Sequence, residues 1–412
     1  MSNKKYLMIP LVFDLFDYFK EKPDLSWVFG TYTNYCVNND MAIIAQEDYF
    51  KQEISPLEKD YRTPLNDENK KKILNERKNL FSKYSIKNEE TLYINKGKKA
   101  SFKDQVYFMS HINKRYISVI NSKLDSIEKD FGKKVNAIFT WYWNPSLEKI
   151  SHDRNIKIIQ QEISPIRNLE NRENYRITLS FFQFENKFNS KYCKNLYKEF
   201  LTSPERKNLK TYSREELLSM LLFPKDIEKI NNIKDLPQYE LGIALPHEND
   251  FFFEIYSNEK LEKTFKTVNK LFRPEDVSIR YYPKLENSIN TINSSWNVDK
   301  TNKAIYWVTQ CKRVLTSVSN IAFDAMMFGK TVYLLSDKMP YSFMSYNSLN
   351  KKNITKELIV DSLYLNFMIF AYFVPWNLML NQEYIKWRMS NPSIIDIYKK
   401  NQDYILSSLN IT

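Results

Sequence analysis

Residues 312–335 read KRVLTSVSNIAFDAMMFGKTVYLL, and this stretch decides the fold. The short, β-favouring run at residues 313–317 predicts a strand, and the apolar spacing of residues 321–328 predicts a helix. Gly329 is the residue type that most often ends a helix, and residues 330–335 predict a second buried strand. The stretch is therefore predicted to be one β-turn-α-β unit of an open α/β sheet.

The turn between the predicted strand and helix is polar. Ser317 ends the strand, and Ser319 and Asn320 are residue types that cap helices. Ligands of open α/β sheets bind at the carboxyl ends of the strands, and a helix that begins there offers unpaired N–H groups to a phosphate. Asp324 follows Asn320 by one helical turn on the same face, where its carboxylate could accept ribose hydroxyls. The alternative is that Ser319 only caps the helix and Asp324 is solvated.

The rest of the second half has the same pattern of strands that end in polar turns. Strands are predicted at residues 239–245 and 277–282, and amphipathic helices at residues 260–272 and 301–310. In one parallel sheet, four turns would converge on one edge, at residues 246–249, 282–284, 317–320 and 337–342. The donors suited to a pyrophosphate at this edge are His247, Arg280, Lys284, Ser317, Ser319 and Asn320.

The first half is also predicted to alternate between strands and helices, which implies another parallel sheet. Strands are predicted at residues 6–13, 29–35, 41–45, 135–142 and 156–160, and one long amphipathic helix at residues 102–129. Lysine-rich residues 48–95 and 189–233 are predicted to be an exposed helical insertion and a helical connector. The tail from residue 354 is predicted to be helical, with residues 363–380 forming a buried helix and a turn.

The segment QEISPIR at residues 161–167 directly follows a predicted strand. Glu162 is the candidate general base, because a carboxylate in a partly closed cleft can take a proton from a hydroxyl. Arg167 could balance phosphate charge, or it could form a structural ion pair with Glu162. Trp141 belongs to an aromatic cluster after another strand, where a ring could stack on a sugar. The rival bases are Asp14 and Asp17, followed by His247 and by His111, for which packing within its predicted helix is favoured.

Composition excludes several classes of protein and site. At 412 residues the chain is long enough for two domains, and it contains no apolar run of about 18 residues that could span a membrane. The N-terminus has acidic residues and no small-residue cleavage site, so a cytoplasmic location is predicted. Three scattered cysteines and three histidines give neither a disulfide framework nor metal-ligand spacing. Five glycines leave no glycine-rich phosphate loop, and the net charge of +12 favours an anionic partner without choosing one.

No DxD carboxylate pair lies near a predicted strand end. A site that holds a diphosphate through a divalent metal usually needs such a pair. Its absence favours stabilisation by a helix dipole and basic side chains. No metal and no cofactor are therefore expected.

In the turns and segments described above, the sequence resembles GT-B glycosyltransferases of bacterial capsule and lipopolysaccharide synthesis. The Kdo-transferase and sialyltransferase groups carry an HP turn and a later SS turn that hold the nucleotide. Here Tyr282-Pro283 resembles the first turn with tyrosine in place of histidine, and residues 317–320 resemble the second with altered spacing. The run AFDAMMFGKTVYL is similar to a common GT-B pattern, which implies that Asp324 contacts ribose. QEISPIR resembles an acidic motif of capsule transferases, which implies that Glu162 lies near the acceptor.

The resemblance implies an α/β protein of GT-B fold, with two Rossmann-like domains that face each other across a cleft. Residues 1–235 would bind the acceptor, residues 236–385 the nucleotide sugar, and residues 386–412 would form a helix that crosses back to the first domain. Asp14, Trp141 and Arg167 would lie on the acceptor side. Glu162 would deprotonate the acceptor, and Arg280 with the 317–320 turn would stabilise the leaving phosphate.

The expected activity is metal-independent transfer of a sugar from a nucleotide-sugar donor to a surface-glycan hydroxyl. CMP-linked and UDP-linked donors both remain open, and a lipid-linked acceptor would bring the protein to the inner membrane face. Nucleic acid is not an expected partner. The alternatives are a non-catalytic glycan-binding relative and a basic nucleic-acid-binding protein, which would explain the charge but not the turns at strand ends.

Overall fold

The computed structural model describes residues 7–12, 42–45, 82–86, 101–140, 143–163, 179–183, 190–233, 238–246, 251–281, 295–375, 378 and 381–409. Within these residues the chain is a mixed α/β protein with two β-sheets. The strands are β1 (Leu7–Val12), β2 (Ile44–Ala45), β3 (Val135–Thr140), β4 (Lys157–Ile163), β5 (Leu179–Gln183), β6 (Tyr239–Ala244), β7 (Val277–Arg280), β8 (Asn297–Val298), β9 (Cys311–Thr316), β10 (Thr331–Leu334) and β11 (Phe373–Pro375).

The α-helices pack around these strands. They are α1 (Phe102–Ser110), α2 (Lys114–Phe131), α3 (Pro145–Arg154), α4 (Ser190–Thr202), α5 (Arg214–Leu221), α6 (Pro224–Ile233), α7 (Phe251–Tyr256), α8 (Leu261–Leu271), α9 (Ala304–Thr309), α10 (Ile321–Met327), α11 (Ser362–Phe367), α12 (Gln382–Met389) and α13 (Ile394–Ser408). A π-helical turn, Met368–Tyr372, joins α11 directly to β11. Among the described residues no helix is both long and apolar enough to cross a membrane.

The second sheet is parallel throughout and has the strand order β10-β9-β6-β7-β8. Its side chains alternate between two cores, as the two-residue period of a strand requires. Val314 of β9 packs with α9, α10 and the C-terminal helices, whereas the next residue, Leu315, packs with α8 on the other face. The sheet therefore has helices on both faces, and only its edges and its two ends remain for ligands.

The predicted β-turn-α-β unit is confirmed with small shifts in its boundaries. It consists of β9, α10 and β10, and Gly329 has a φ of 67°, the left-handed conformation that ends a helix without steric cost. Gly242 in β6 has another role, because a Cβ there would lie 2.5 Å from Cys311 Sγ and 2.8 Å from Trp307. Glycine therefore lets α9 pack closely on the sheet.

The first sheet is only partly parallel, which corrects the sequence prediction. Its order is β11-β5-β4-β3-β1-β2, and both β5 and β11 form antiparallel pairs with their neighbours. The tail was expected to be helical, but residues 373–375 form the edge strand beside β5. The C-terminal region thus contributes to the first sheet, while residues just before β11 pack in the core of the second.

The single long helix predicted at residues 102–129 is two helices. Asn113 begins α2, and its side-chain oxygen accepts a hydrogen bond from the N–H of Tyr116 at 3.0 Å. The Asn113 N–H itself donates to Ser146 Oγ at 2.7 Å, which ties the break to α3. His111 is the C-cap of α1 and is exposed, with its ring stacked on Tyr107 at 4.3 Å. The expectation that His111 packs inside a helix is therefore wrong.

Several predicted elements fall outside the described residues. These are the strand at residues 29–35, most of the insertion at residues 48–95, and the turns at residues 247–249 and 282–284. The connector at residues 189–233 is helical as predicted, since it contains α4, α5 and α6. The division of the chain into domains at residues 235 and 385 stays a prediction.

Candidate functional site

The order of the second sheet creates one point where the direction of winding reverses. Starting from β6, the next strands in the chain, β7 and β8, are added on one side of it. The following strands, β9 and β10, are added on the other side of β6. The reversal lies between β6 and β9. In open α/β sheets such a switch point opens a crevice outside the carboxyl ends of the strands, and ligands bind there. This geometry identifies the carboxyl ends of β6 and β9 as the candidate site.

The two strands at the switch point are joined at their carboxyl ends by a side chain. Thr316, the last residue of β9, donates from Oγ1 to the Ala244 carbonyl oxygen of β6 at 3.3 Å. Ser317 follows and is only 2% exposed. Its side chain has no hydrogen-bond partner among the described residues. Ser317 is therefore a group whose hydroxyl could hydrogen-bond to a ligand.

The rest of the turn differs from the predicted helix cap. Ser319 caps as expected, because its Oγ accepts the N–H of Ile321 at 3.3 Å. Asn320 has helical backbone angles and makes no capping hydrogen bond with its side chain. Its Oδ1 instead accepts a hydrogen bond from the Tyr341 hydroxyl at 2.9 Å. Asn320 therefore occupies the N-cap position as predicted, but its side chain does not cap the helix. The helix α10 has seven residues, so the site does not depend on a long helix dipole.

Asp324 lies in the first turn of α10 and is half-buried. Its N–H donates to the Asn320 carbonyl oxygen at 3.4 Å, so the predicted spacing of one helical turn is present. Contact between its carboxylate and a ribose stays a prediction.

Arg280 ends β7, next to β6, and its guanidinium is engaged within the protein. Nη1 is paired with the carboxylate of Asp299, and it also donates to the Thr301 carbonyl oxygen at 3.2 Å. Asp299 is almost wholly buried, with 2% of its side chain exposed. Contact between Arg280 and a phosphate stays a prediction. Nε and Nη2 have no hydrogen-bond partner in the described part of the chain, so they are the donors of Arg280 that a phosphate could use.

Lys330 of the Gly-Lys pair lies away from the site. It precedes β10, at the amino end of the sheet, and its ammonium donates to the Thr309 carbonyl oxygen at 3.1 Å. Burial lowers the pKa of Lys330, and the nearby Cys311 opposes that effect. Lys330 therefore supports the packing of α9 against the sheet rather than a ligand.

Glu162 lies within β4 and not after it, which corrects the predicted end of that strand. The strand is longer because β5 gives residues 160–163 an antiparallel partner. Glu162 is opposite Phe181 of β5, and Phe181 is opposite Phe373 of β11. These three residues form one row across the first sheet. At about 4.8 Å per strand, the Cα atoms of Glu162 and Phe373 are about 10 Å apart.

This row reaches the switch-point helix through a ring contact. The rings of Phe373 and Phe323 meet edge to face, with 5.1 Å between their centroids and 86° between their planes. Phe323 precedes Asp324 in α10. The row that contains the candidate base therefore ends against the helix that contains the candidate ribose ligand.

Two acceptor-side predictions follow strands that flank a second switch point. In the first sheet the order of the parallel strands is β2-β1-β3-β4, so the winding reverses between β1 and β3. Asp14 comes two residues after β1 and Trp141 one residue after β3. The predicted site residues that lie outside the described residues are Asp14, Asp17, Trp141, Arg167, His247, Tyr282, Pro283 and Lys284.

Sequence reasoning missed Thr316, Asp299 and Tyr341. A threonine that ends a strand next to the serine-rich turn was a usable signal for Thr316. Asp299 contacts Arg280, which lies 19 residues earlier in the chain, and Tyr341 contacts Asn320, which lies 21 residues earlier. No local sequence pattern predicts either contact. Among the described residues, no group of three or more His, Cys, Asp or Glu side chains could hold a metal ion.

Comparison with known proteins gives only distant likenesses. No protein-family model and no curated protein matches the sequence. Among solved structures, the chain is similar to the β-Kdo 2,7 transferase of Thermosulfurimonas dismutans KpsC, with 9% identity, a TM-score of 0.37 and coverage of 68% of this chain and 98% of that chain.

Two other solved structures are similar at the same low level. A UDP-glucose:anthocyanidin 3-O-glucosyltransferase in complex with UDP has 7% identity, a TM-score of 0.36 and coverage of 99% of this chain and 98% of that chain. The UDP-GlcNAc 2-epimerase of Methanocaldococcus jannaschii has 10% identity, a TM-score of 0.29 and coverage of 85% and 90%. TM-scores below 0.5 do not establish a shared fold, so these likenesses decide neither the family nor the activity.

Proposed function

We propose that the chain is a glycosyltransferase that binds a nucleotide-activated sugar at the β6–β9 switch point and transfers the sugar to the hydroxyl of a surface-glycan acceptor. The observation that carries the proposal is the arrangement of the 317–320 turn at that switch point, with the row from Glu162 to Phe373 ending against the helix that follows. The resemblance of the turn and of QEISPIR to capsule transferase motifs adds the reaction class.

In the proposed reaction, Glu162 accepts the proton of the acceptor hydroxyl. The hydroxyl oxygen forms a bond to the anomeric carbon of the sugar, and the bond from that carbon to the donor phosphate breaks. The nucleotide leaves with the bonding electron pair. Ser317 and the remaining donors of Arg280 would stabilise the charge that develops on the leaving phosphate, without a metal ion. Asp324 would accept the ribose hydroxyls.

The protein is expected to meet its acceptor in the cytoplasm, and a lipid-linked acceptor would place it at the inner membrane face. Cell fractionation tests this location, since a peripheral protein leaves the membrane fraction at high salt.

The first test is a thermal-shift panel with CMP, CDP, UDP, GDP and ADP, each with and without EDTA. A ligand that binds only the folded protein raises the melting temperature. Stabilisation by a cytidine nucleotide would indicate a CMP-linked donor, and stabilisation by UDP would indicate a UDP-linked donor. A shift that survives EDTA is the expected result for a metal-independent site. If no nucleotide changes the melting temperature, the proposal is wrong, and salt-dependent binding to random oligonucleotides would then favour the nucleic-acid alternative.

A pair of serine variants tests where the nucleotide binds. Ser317→Ala removes a hydroxyl that makes no hydrogen bond in the described structure, so it should leave stability unchanged and weaken nucleotide binding by about 10-fold or more. Ser278→Ala is the matched control, because Ser278 is as deeply buried but its Oγ accepts the indole N–H of Trp307 at 2.9 Å. The control should lower stability and leave nucleotide affinity unchanged. The reverse pattern would exclude the switch point as the binding site.

Glu162→Gln tests the proposed base. The variant should bind the selected nucleotide with unchanged affinity, while transfer of sugar falls by about 10²–10⁴-fold. Slow hydrolysis of CMP-linked and UDP-linked sugars gives the donor specificity without a known acceptor. Full transfer activity in the variant would remove Glu162 from the mechanism, and glycan binding without any turnover of donor would favour the non-catalytic alternative.

A further inference from the structure

We propose that Asp299 is a positioning residue that holds the Arg280 guanidinium by one nitrogen and so presents the opposite edge of the guanidinium to the phosphate of the donor. Arg280 ends β7 and is paired with Ala244 of β6, whose carbonyl oxygen accepts the hydroxyl of Thr316. Arg280 therefore lies on the strand next to the switch point. The inference rests on the proposed function, because it assigns a role within the same site.

The nitrogen Nη1 of Arg280 is surrounded by oxygen atoms of the protein. They are a carboxylate oxygen of Asp299, the Thr301 carbonyl oxygen at 3.2 Å and Thr301 Oγ1 at 3.4 Å. Asp299 follows β8, which pairs with β7 on the side away from β6. Nη1 has no more N–H groups than these oxygens can accept, so its donors are used within the protein.

Asp299 is itself fixed by the backbone around it. Its other carboxylate oxygen accepts the Thr301 N–H at 2.8 Å, and its own N–H donates to the Ile279 carbonyl oxygen at 2.8 Å. Thr301 is held in turn, because its Oγ1 donates to the Lys303 carbonyl oxygen at 3.0 Å. These bonds are all internal to the protein, so they fix the guanidinium independently of a ligand, and binding does not have to order it.

The opposite edge of the guanidinium carries Nε and Nη2. In the described part of the chain neither nitrogen makes a hydrogen bond, and neither belongs to the buried polar atoms that lack a partner, so both reach solvent. The adjacent N–H groups of an arginine can donate in parallel to two oxygens of one phosphate, which a lysine ammonium cannot do. Because Asp299 engages only Nη1, this two-pronged edge stays intact for the donor phosphate.

A positioning role and a purely electrostatic role predict opposite effects when the charge of Asp299 is removed. If Asp299 only neutralised Arg280, Asp299→Asn would strengthen the attraction for a phosphate. Because Asp299 positions Arg280, Asp299→Asn should instead weaken nucleotide binding by about 10-fold and leave the affinity for the nucleoside unchanged. Asparagine cannot replace the carboxylate, since its single amide oxygen cannot serve both the guanidinium and the Thr301 N–H in the same positions.

Arg280→Lys tests the two-pronged edge while it keeps the ion pair. A lysine ammonium can still donate to Asp299, so the variant should remain folded, but it has no parallel N–H groups. Arg313→Lys is the matched control, because the Arg313 side chain is 16% exposed against 18% for Arg280 and is also paired with a carboxylate, that of Glu240 at 2.9 Å. Only Arg280→Lys should weaken the nucleotide, by about 10-fold.

Two affinities are measured for the wild-type protein and for each variant. Calorimetry with UDP, or with the nucleotide that the thermal panel selects, gives the nucleotide affinity, and ligand-observed NMR with the matching nucleoside gives the second. Asp299→Glu provides the same test if Asp299→Asn does not fold. It keeps the charge of the pair, but its longer side chain displaces the carboxylate, so it should also weaken the nucleotide and not the nucleoside.

A double-mutant cycle shows whether Asp299 acts through Arg280. Asp299→Asn should add little to the loss caused by Arg280→Lys. Tighter or unchanged nucleotide binding in the Asp299 variants, equal losses for nucleotide and nucleoside, unchanged nucleotide affinity in Arg280→Lys, or full additivity in the cycle would each overturn the inference while leaving the proposed function intact. A wild-type protein that binds no nucleotide would overturn both.

Discussion

Phe373 belongs to the first sheet, and its ring packs edge to face on Phe323 of α10, the helix at the switch point of the second sheet. The contact joins the two sheets through two aromatic side chains that are both fully buried. An edge-to-face pair places the positive edge of one ring on the negative face of the other, which adds to the burial of apolar surface. We therefore expect this contact to couple the edge of the first sheet to the candidate site in energy as well as in position.

The coupling between these rings can be measured in a double-mutant cycle. Phe373→Leu and Phe323→Leu should each destabilise the protein, and the pair should show a coupling energy of about 0.5–1.5 kcal/mol in urea unfolding. Phe323 with Phe265, which lies in a different core cluster, is the control pair and should be additive. A coupling energy near zero between Phe373 and Phe323 would show that the two sheets do not stabilise each other through this contact.

Gly242→Ala should destabilise the protein by about 1–3 kcal/mol, because the new methyl group would overlap Cys311 Sγ and the indole of Trp307. Adding Cys311→Ala removes the closer of the two atoms and should recover part of that loss. Gly132→Ala is the control, since Gly132 has a φ of 61° but no atom within 4 Å of the new group. It should cost about 1 kcal/mol through backbone strain, with no recovery from Cys311→Ala. Chemical denaturation measures all four variants.

Substitution of Asp226 should destabilise the protein more than substitution of most other acidic residues in the connector. It is fully buried, and its two carboxylate oxygens lie 2.8 and 3.0 Å from the ammonium of Lys303, while the Tyr306 hydroxyl donates to it as well. Asp226→Asn should cost about 3–5 kcal/mol, because it breaks a buried ion pair by removing the charge of one partner. The double variant with Lys303→Met should cost less than the sum of the single changes. Strict additivity in urea unfolding would contradict this pairing.

The stability of the protein should fall in acid partly through Glu128. Burial raises the pKa of this carboxyl, but hydrogen bonds from Lys134 and the Val135 N–H and the charge of Arg154 outweigh that effect and hold the pKa below its ordinary value. A lowered pKa in the folded state gives stability that is present above the unfolded pKa of about 4.3 and is lost as the pH falls through the folded value.

Glu128→Gln should therefore lower stability at pH 7 by about 1–3 kcal/mol and should reduce the difference between pH 7 and pH 3. Glu383→Gln, at a surface pair in which the carboxylate is 79% exposed, is the control and should leave that difference unchanged. Thermal melts across the pH range measure both. An unchanged pH dependence in Glu128→Gln would show that other carboxyl groups account for the acid sensitivity.

The elements that local patterns determine were predictable from the sequence. Residues 312–335 carry a β-favouring run, a capped apolar helix and a glycine that needs a positive φ, and all three appear in the structure with small changes in boundaries. The parallel second sheet follows from the alternation of strands and helices. The carboxyl ends of β6, β7, β9 and β10 lie at one edge for the same reason, because parallel strands all end at the same edge.

The features that long-range contacts determine were not predictable. The run at residues 363–380 is apolar almost throughout, so its periodicity could not separate a helix from the edge strand β11, which is fixed by pairing with β5. Arg280 pairs with Asp299, and the sequence around Arg280 does not announce that partner. The side chain of Asn320 accepts a hydrogen bond from Tyr341, which lies 21 residues later. In each case the contact is made by a distant residue and not by the local sequence.

The late position of β11 in the sequence has a consequence for synthesis on the ribosome. Phe373 pairs with Phe181, so the nascent chain must grow by roughly 190 residues after β5 before the first sheet gains its last strand. Until then β5 presents an unpaired backbone edge that another chain could join. The first sheet therefore cannot be completed until most of the second half of the chain has been synthesised. Chaperone capture of nascent chains should be strongest after β5 has been synthesised and before β11 has been synthesised. It should end once residues 373–375 have left the exit tunnel.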